Sequence, residues 1–223
     1  MRIRLLILLA AVLPAVAVEG QAPLPPDINP VTLSRLPPVT KNDLDADGQR
    51  ALDARTNPAT PGPGPGHITS YSPKIGEGLG PLGRYLGVPQ GTNFPLGARY
   101  FQLVVLITAR EIDQQYEWSA HEPAGLRAGL EQSVIDAVKY DRDVKDLAEK
   151  DATLIRFFRA LFREHTVSSD LWARMIDDFG RQRTIETMAL MGDYFIVGMM
   201  MNAADQHLPP TRQPLLPALT RAR

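Results

Sequence analysis

Leu106-Ile-Thr-Ala-Arg-Glu-Ile-Asp-Gln-Gln-Tyr-Glu-Trp-Ser-Ala-His-Glu-Pro123 is the stretch on which the reading of this chain turns. Apolar residues Phe101, Val104, Val105, Ile107, Ile112 and Tyr116 recur at helical spacing into and through it. That period predicts one long helix, opening at Asn93 or near Pro95 and running to about Ala120. Glu117 and His121 stand four residues apart, which stacks a carboxylate and an imidazole on one helix face. No other segment places an acid and a base together in an otherwise apolar setting. Pro123 and Gly125 follow at once, and are expected to kink the helix or start a new turn.

Working outward, the helical pattern continues on both sides. Ile75 to Leu86 reads as a short helix ended by Gly87-Val-Pro89, and Leu130 to Val138 as another following Gly129. Lys139 to Lys150 is charged and reads as a loop. Leu147 to His165 carries Leu154, Ile155, Phe157, Phe158, Leu161 and Phe162, the stripe of an amphipathic helix. Ser168-Ser169-Asp170 supplies an N-cap for Leu171 to Phe179, and Gly180 ends that helix. Thr184 to about Gln206 is a Met-rich helix holding Met188, Met191, Met199, Met200 and Met201. Glu186, Asp193 and Asn202 interrupt it, which favours a buried or subunit-facing helix over a membrane span. Strand alternation and hairpin turns are not seen, so the expected fold is all-α.

Proline divides the 223 residues in two. Fourteen of the 20 prolines lie between Pro23 and Pro95, and only Pro123 lies between Leu96 and Leu208. Residues 18–70 accordingly read as a Pro/Gly-rich extended arm, with Pro61-Gly-Pro-Gly-Pro-Gly66 its least structured part and a short amphipathic element near Asn42 to Thr56. Before it, Arg2 and Arg4 precede an apolar run from Leu5 to Val18, with Ala15-Val16-Ala17 at the cleavage positions. Residues 1–17 thus have the layout of a signal peptide, and a periplasmic or secreted protein without stable membrane insertion is expected. Residues 71–210 form the expected domain and 211–223 a C-terminal tail. Cysteine is absent, so disulfides and thiol chemistry are excluded. A net charge of -1 shows no basic field for nucleic acid. His67, His121, His165 and His207 have no ligand-like spacing, so neither a metal nor a cofactor is expected.

The segment from Leu106 to Pro123, followed by Ala124, Ala128, Gly129 and Leu130, resembles the signature helix of the carboxymuconolactone decarboxylase family, within the alkylhydroperoxidase D-like superfamily. Val167-Ser-Ser-Asp-Leu-Trp-Ala173, Phe179-Gly180 and Met191 to Ala203 are similar to the second half of the same pattern. The resemblance spans about residues 71–210. It implies a compact helical bundle assembling as a homotrimer or homohexamer, with its site near a subunit interface. In the peroxidase branch a glutamate, two cysteines and a histidine relay protons. The corresponding positions here hold Gln102, Gln114, Glu117 and His121, so no thiolate exists to attack a peroxide. The decarboxylase branch is the better fit, because it resembles this chain at Glu117, Trp118 and His121. Gln102 departs from the glutamate usual there, and an amide exchanges no protons.

The chemistry implied is that of a cofactor-free lyase on a small carboxylated lactone or related acid. His121 would protonate the carbanion or enolate left by decarboxylation, with Glu117 holding its tautomer. Tyr116 and Trp118 would wall the pocket, Gln102 and Gln114 would donate hydrogen bonds to a carbonyl or lactone oxygen, and Arg110 would face a substrate carboxylate. Each residue also has a plainer use. Tyr116 and Trp118 suit core or interface packing, and Arg110 and Glu111 a surface pair; Asp193 and Tyr194 either face the pocket or, the favoured use, make an interface hydrogen bond. The alternative function is a non-catalytic small-molecule-binding or scaffolding oligomer that kept the fold and lost the proton relay.

Overall fold

The computed structural model describes residues 24–54 and 62–219. The expected leader, residues 1–17, lies outside the described residues. Among these residues eight α-helices follow one another: α1 Ala46–Asp53, α2 Pro65–Thr69, α3 Pro73–Leu86, α4 Gly97–Glu111, α5 Gln115–Arg127, α6 Gln132–Lys139, α7 Glu149–Glu164 and α8 Ser169–Ala203. A single 3-10 turn, Lys41–Asp43, precedes α1, and among the described residues no strand forms. The protein is all-helical. No helix among the described residues is long and apolar enough to cross a membrane.

The centre of the bundle is α4. Every residue from Phe101 to Arg110 is buried, as a helix surrounded by others requires. Leu103, Val105 and Leu106 on α4, Ile135 on α6, Leu154 and Phe158 on α7 and Leu190 on α8 belong to one continuous core. At its edge, Arg99 of α4 pairs with Asp151 of α7, whose carboxylate is almost fully enclosed, through Nη1 and Nη2 at 2.8 and 2.7 Å.

The expected single helix from the Pro95 region to Ala120 is two helices. The chain breaks at Ile112-Asp113-Gln114, where Asp113 takes a left-handed φ of 54°, a conformation Asp tolerates better than most residues. The Gln114 side chain then caps α5 by accepting from Tyr116 N, and donates to Asn202 Oδ1 at 2.8 Å. Gly198 of α8 lies against this elbow; a Cβ there would stand 2.6 Å from Ile112 Cδ1. The result is an α4–α5 hairpin. Gly125 lets α5 close on α4, since a Cβ at that position would meet Leu130 Cδ1 at 2.9 Å and Gln102 Cβ at 3.6 Å. Pro123 lies inside α5, and the helix runs past it to Arg127 instead of ending. The missing N–H forfeits one backbone bond, to the Ser119 carbonyl.

Gly180, at φ 77° and ψ 158°, divides α8 into the two limbs that the sequence reads as separate helices. Ser168 caps the first, with its side chain accepting from Leu171 N.

The Pro-rich lead-in is not simply extended. It carries α1 and α2, and its loop at 28–36 is clasped to the end of α8: Arg35 N donates to Ala204 O (2.8 Å), Arg35 Nη1 to Ala203 O (3.1 Å) and His207 N to Leu33 O (2.7 Å). Backbone groups that proline leaves without a regular partner are satisfied by this long-range set. The cation also meets the negative end of the α8 dipole.

Candidate functional site

His121, on the α5 face turned to α4 and α8, is 6% exposed and engaged at both nitrogens. Its Nδ1 lies 2.7 Å from Gln102 Oε1. Gln102 Nε2 donates to Gln90 O (3.5 Å), which leaves its oxygen to accept from the ring. The neutral tautomer therefore carries its proton on Nδ1. Nε2 points inward, 3.3 Å from Glu117 Oε2 and 3.4 Å from Tyr194 Oη. When neutral, Nε2 accepts from the tyrosine hydroxyl; when protonated, it forms an ion pair with Glu117. Burial, followed by the negative charges of Glu117 and Asp193, holds the Tyr194 hydroxyl well above its ordinary pKa, so Tyr194 remains a donor. The Tyr194 ring stands edge-on to the imidazole at 5.2 Å between centroids, which fixes the ring plane.

A cleft of about 490 Å³ opens over this network. Gln102 and His121 line it, Ala98, Ala120, Ala124 and Ala128 give it small apolar walls, and Gln90 and Arg127 stand at its edges. Arg127 is exposed and forms no ion pair among the described residues.

The sequence-predicted site residues divide into two groups. Glu117, His121 and Gln102 come together. The other four are placed elsewhere. Arg110 is buried and bonded to Asp113 and to the carbonyl oxygens of Pro217 (2.8 Å) and Lys139 (3.4 Å), so it ties the C-terminal segment to α4 and α6 and does not reach the cleft. Its sequence neighbour Glu111 pairs with Arg163. Gln114 caps α5, and Tyr116 bonds Pro63 O beneath the Arg212 guanidinium, 4.7 Å from its ring. Trp118 is fully buried in the core, and its indole N–H bonds Glu122, which in turn pairs with Lys139 at 2.9 Å. These four build the scaffold.

Arg127 is a cleft residue that the sequence reading passed over. The signal was present: Ala120, Ala124 and Arg127 share one helical face, beside the stripe of His121, Ala124 and Ala128. Asp193 also joins the cluster from α8. Burial and the nearby Glu117 raise its carboxyl pKa. No group of three or more His, Asp or Glu among the described residues is placed to hold a metal ion.

No protein-family model and no curated protein matches the sequence. The fold is similar to the crystal structure of a protein of unknown function from Agrobacterium tumefaciens, described as a candidate AhpD of antioxidant defence. The TM-score is 0.54 at 14% identity, over 63% of this chain and 94% of that chain. The chain thus has the alkylhydroperoxidase D-like fold.

Proposed function

We propose that the protein is a cofactor-free, carboxymuconolactone decarboxylase-like lyase whose substrate, a small carboxylated lactone or related acid, binds in the Gln102–His121–Arg127 cleft. The observation that carries this reading is an imidazole held in one tautomer at the base of an alanine-walled cleft, backed by Glu117 and rimmed by an unpaired arginine. Arg127 receives one anionic group of the substrate. The carboxylate to be lost lies against Ala120 and Ala124, where its charge is poorly solvated and departure as CO2 is favoured. The C–C bond breaks, its electron pair passes into the conjugated carbonyl, and the imidazolium of His121 returns a proton to carbon through Nδ1. Gln102 releases that nitrogen and turns its amide toward the developing oxyanion, and Glu117 offsets the positive charge on the ring.

A trimer or hexamer, with an export signal ahead of the domain, completes the proposal. A second reading, a binding protein without turnover, draws on the fact that Gln102 occupies Nδ1 and cannot itself exchange protons. Thermal unfolding against a panel of lactone and keto acids tests the site. Ligand at ~100 times its dissociation constant adds about 2.7 kcal/mol. That increment should appear in wild type and vanish in Arg127→Ala, a surface change that leaves the fold intact. Equal shifts in both proteins would place the ligand elsewhere.

A further inference from the structure

A second cleft, of about 340 Å³, lies between α2, α3 and α8. Leu79, Val88 and Val197 make it apolar, and Gly76 and Gly80 of α3 leave its wall open. Asp193 also lines it. Asp193 as a residue is 6% exposed, and its carboxylate has no hydrogen bond or ion pair among the described residues. Leaving a mostly buried carboxylate unpaired is costly, and the groups around it give no relief. Glu117 of α5 adds a second negative charge and takes His121 as its own partner. Tyr194 directs its hydroxyl at His121. Arg84 also lines the cleft, with its guanidinium along α3 near Gly80, but it is exposed to solvent and makes no ion pair with Asp193. The cluster is one positive charge short, and the deficit faces an apolar cleft.

We propose that this second cleft binds a small organic cation, a protonated amine on a compact apolar body, with the ammonium on Asp193. An ammonium supplies the missing charge and donates to the free carboxylate oxygens. Its hydrocarbon part covers Leu79, Val88 and Val197. A bare metal ion does not suit the site, since one carboxylate among apolar walls offers too few oxygen ligands. The site is distinct from the Arg127 cleft, where the preferred charge is opposite. Because the Asp193 carboxyl keeps its proton to higher pH than usual, affinity for an ammonium rises with pH as that proton leaves.

Calorimetric titration of the intact chain with cyclohexylammonium at pH 8, with cyclohexanol as the neutral control, tests the proposal. The expected result is saturable binding of the amine, weaker by roughly tenfold to hundredfold in Asp193→Asn, the range for a charged hydrogen bond. Cyclohexanol binding should be weaker to a similar degree. Gly76→Leu places a side chain at the cleft wall where a Cβ meets nothing within 4 Å, so it should fold normally and block the amine. Arg127→Ala, in the other cleft, should retain it. Wild-type affinity in folded Asp193→Asn, or no saturable binding by folded wild type, would overturn the proposal whatever becomes of the lyase reading.

Discussion

Gly91→Ala is the substitution whose cost follows most directly from the geometry. Gly91 has φ +74°, and a Cβ there would stand 2.6 Å from Phe101 Cβ. A left-handed backbone costs a non-glycine residue about 1–2 kcal/mol. The clash cannot be relieved by swinging a side-chain tip, because the atom struck is rooted on α4. Phe101 is fully enclosed and packs edge-on against Phe94 and Tyr194, both at 5.8 Å. Overpacking of this kind costs typically about 1–3 kcal/mol, for a total of roughly 2–5 kcal/mol. In a domain of this size that lowers Tm by roughly 5–15 °C. Relief by moving the 87–94 loop also shifts Gln90, whose carbonyl orients the Gln102 amide and through it His121. Urea unfolding of the variant measures the loss. Gly76→Ala is the control: it lies inside α3 with open space at its Cβ, and should gain about 0.5–1 kcal/mol. Stability of Gly91→Ala equal to wild type would show that the loop does not pack on Phe101 as described.

Arg99→Leu strands the enclosed Asp151 carboxylate and should cost about 3–5 kcal/mol in denaturant unfolding, while Arg99→Leu with Asp151→Leu recovers most of it. Asp193→Asn should be more stable than wild type at neutral pH. The folded-state pKa of Asp193 is raised, so its stabilising contribution is complete below the unfolded value of about 3.9 and is lost as pH rises through the folded value. The gap between variant and wild type should therefore close as pH falls toward 4, and Tm measured across that range checks it.

The sequence showed much of this molecule and hid some of it for physical reasons. Helical periodicity located α3, α6, α7 and both limbs of α8, because each buries an amphipathic face. It missed the α4–α5 elbow, since apolar residues continue across Ile112 and the break depends on the left-handed Asp113 and on the Gln114 cap, which receives its partner from α8. It treated Pro123 as a disruption because a local rule counts one lost backbone bond and not the packing of Gly125 on α4. Glu117 and His121 were legible as an i, i+4 pair, and Gln102 through the family resemblance. Arg110 and Arg127 look alike in sequence, two cations on neighbouring helices. Only the tertiary contacts with Lys139 and Pro217, beside the local pair with Asp113, show that the first is spent on structure, and this leaves the second at the cleft.

Turnover by wild type and by His121→Asn, over a panel of carboxylated lactones and keto acids with CO2 release as the readout, tests the acid–base assignment most directly. Product formation by wild type is expected to fall roughly 10²–10⁴-fold in a variant of unchanged fold, the usual worth of a positioned general acid. Equal turnover by the two proteins would contradict it, as would a folded wild type that binds the acids and releases no CO2.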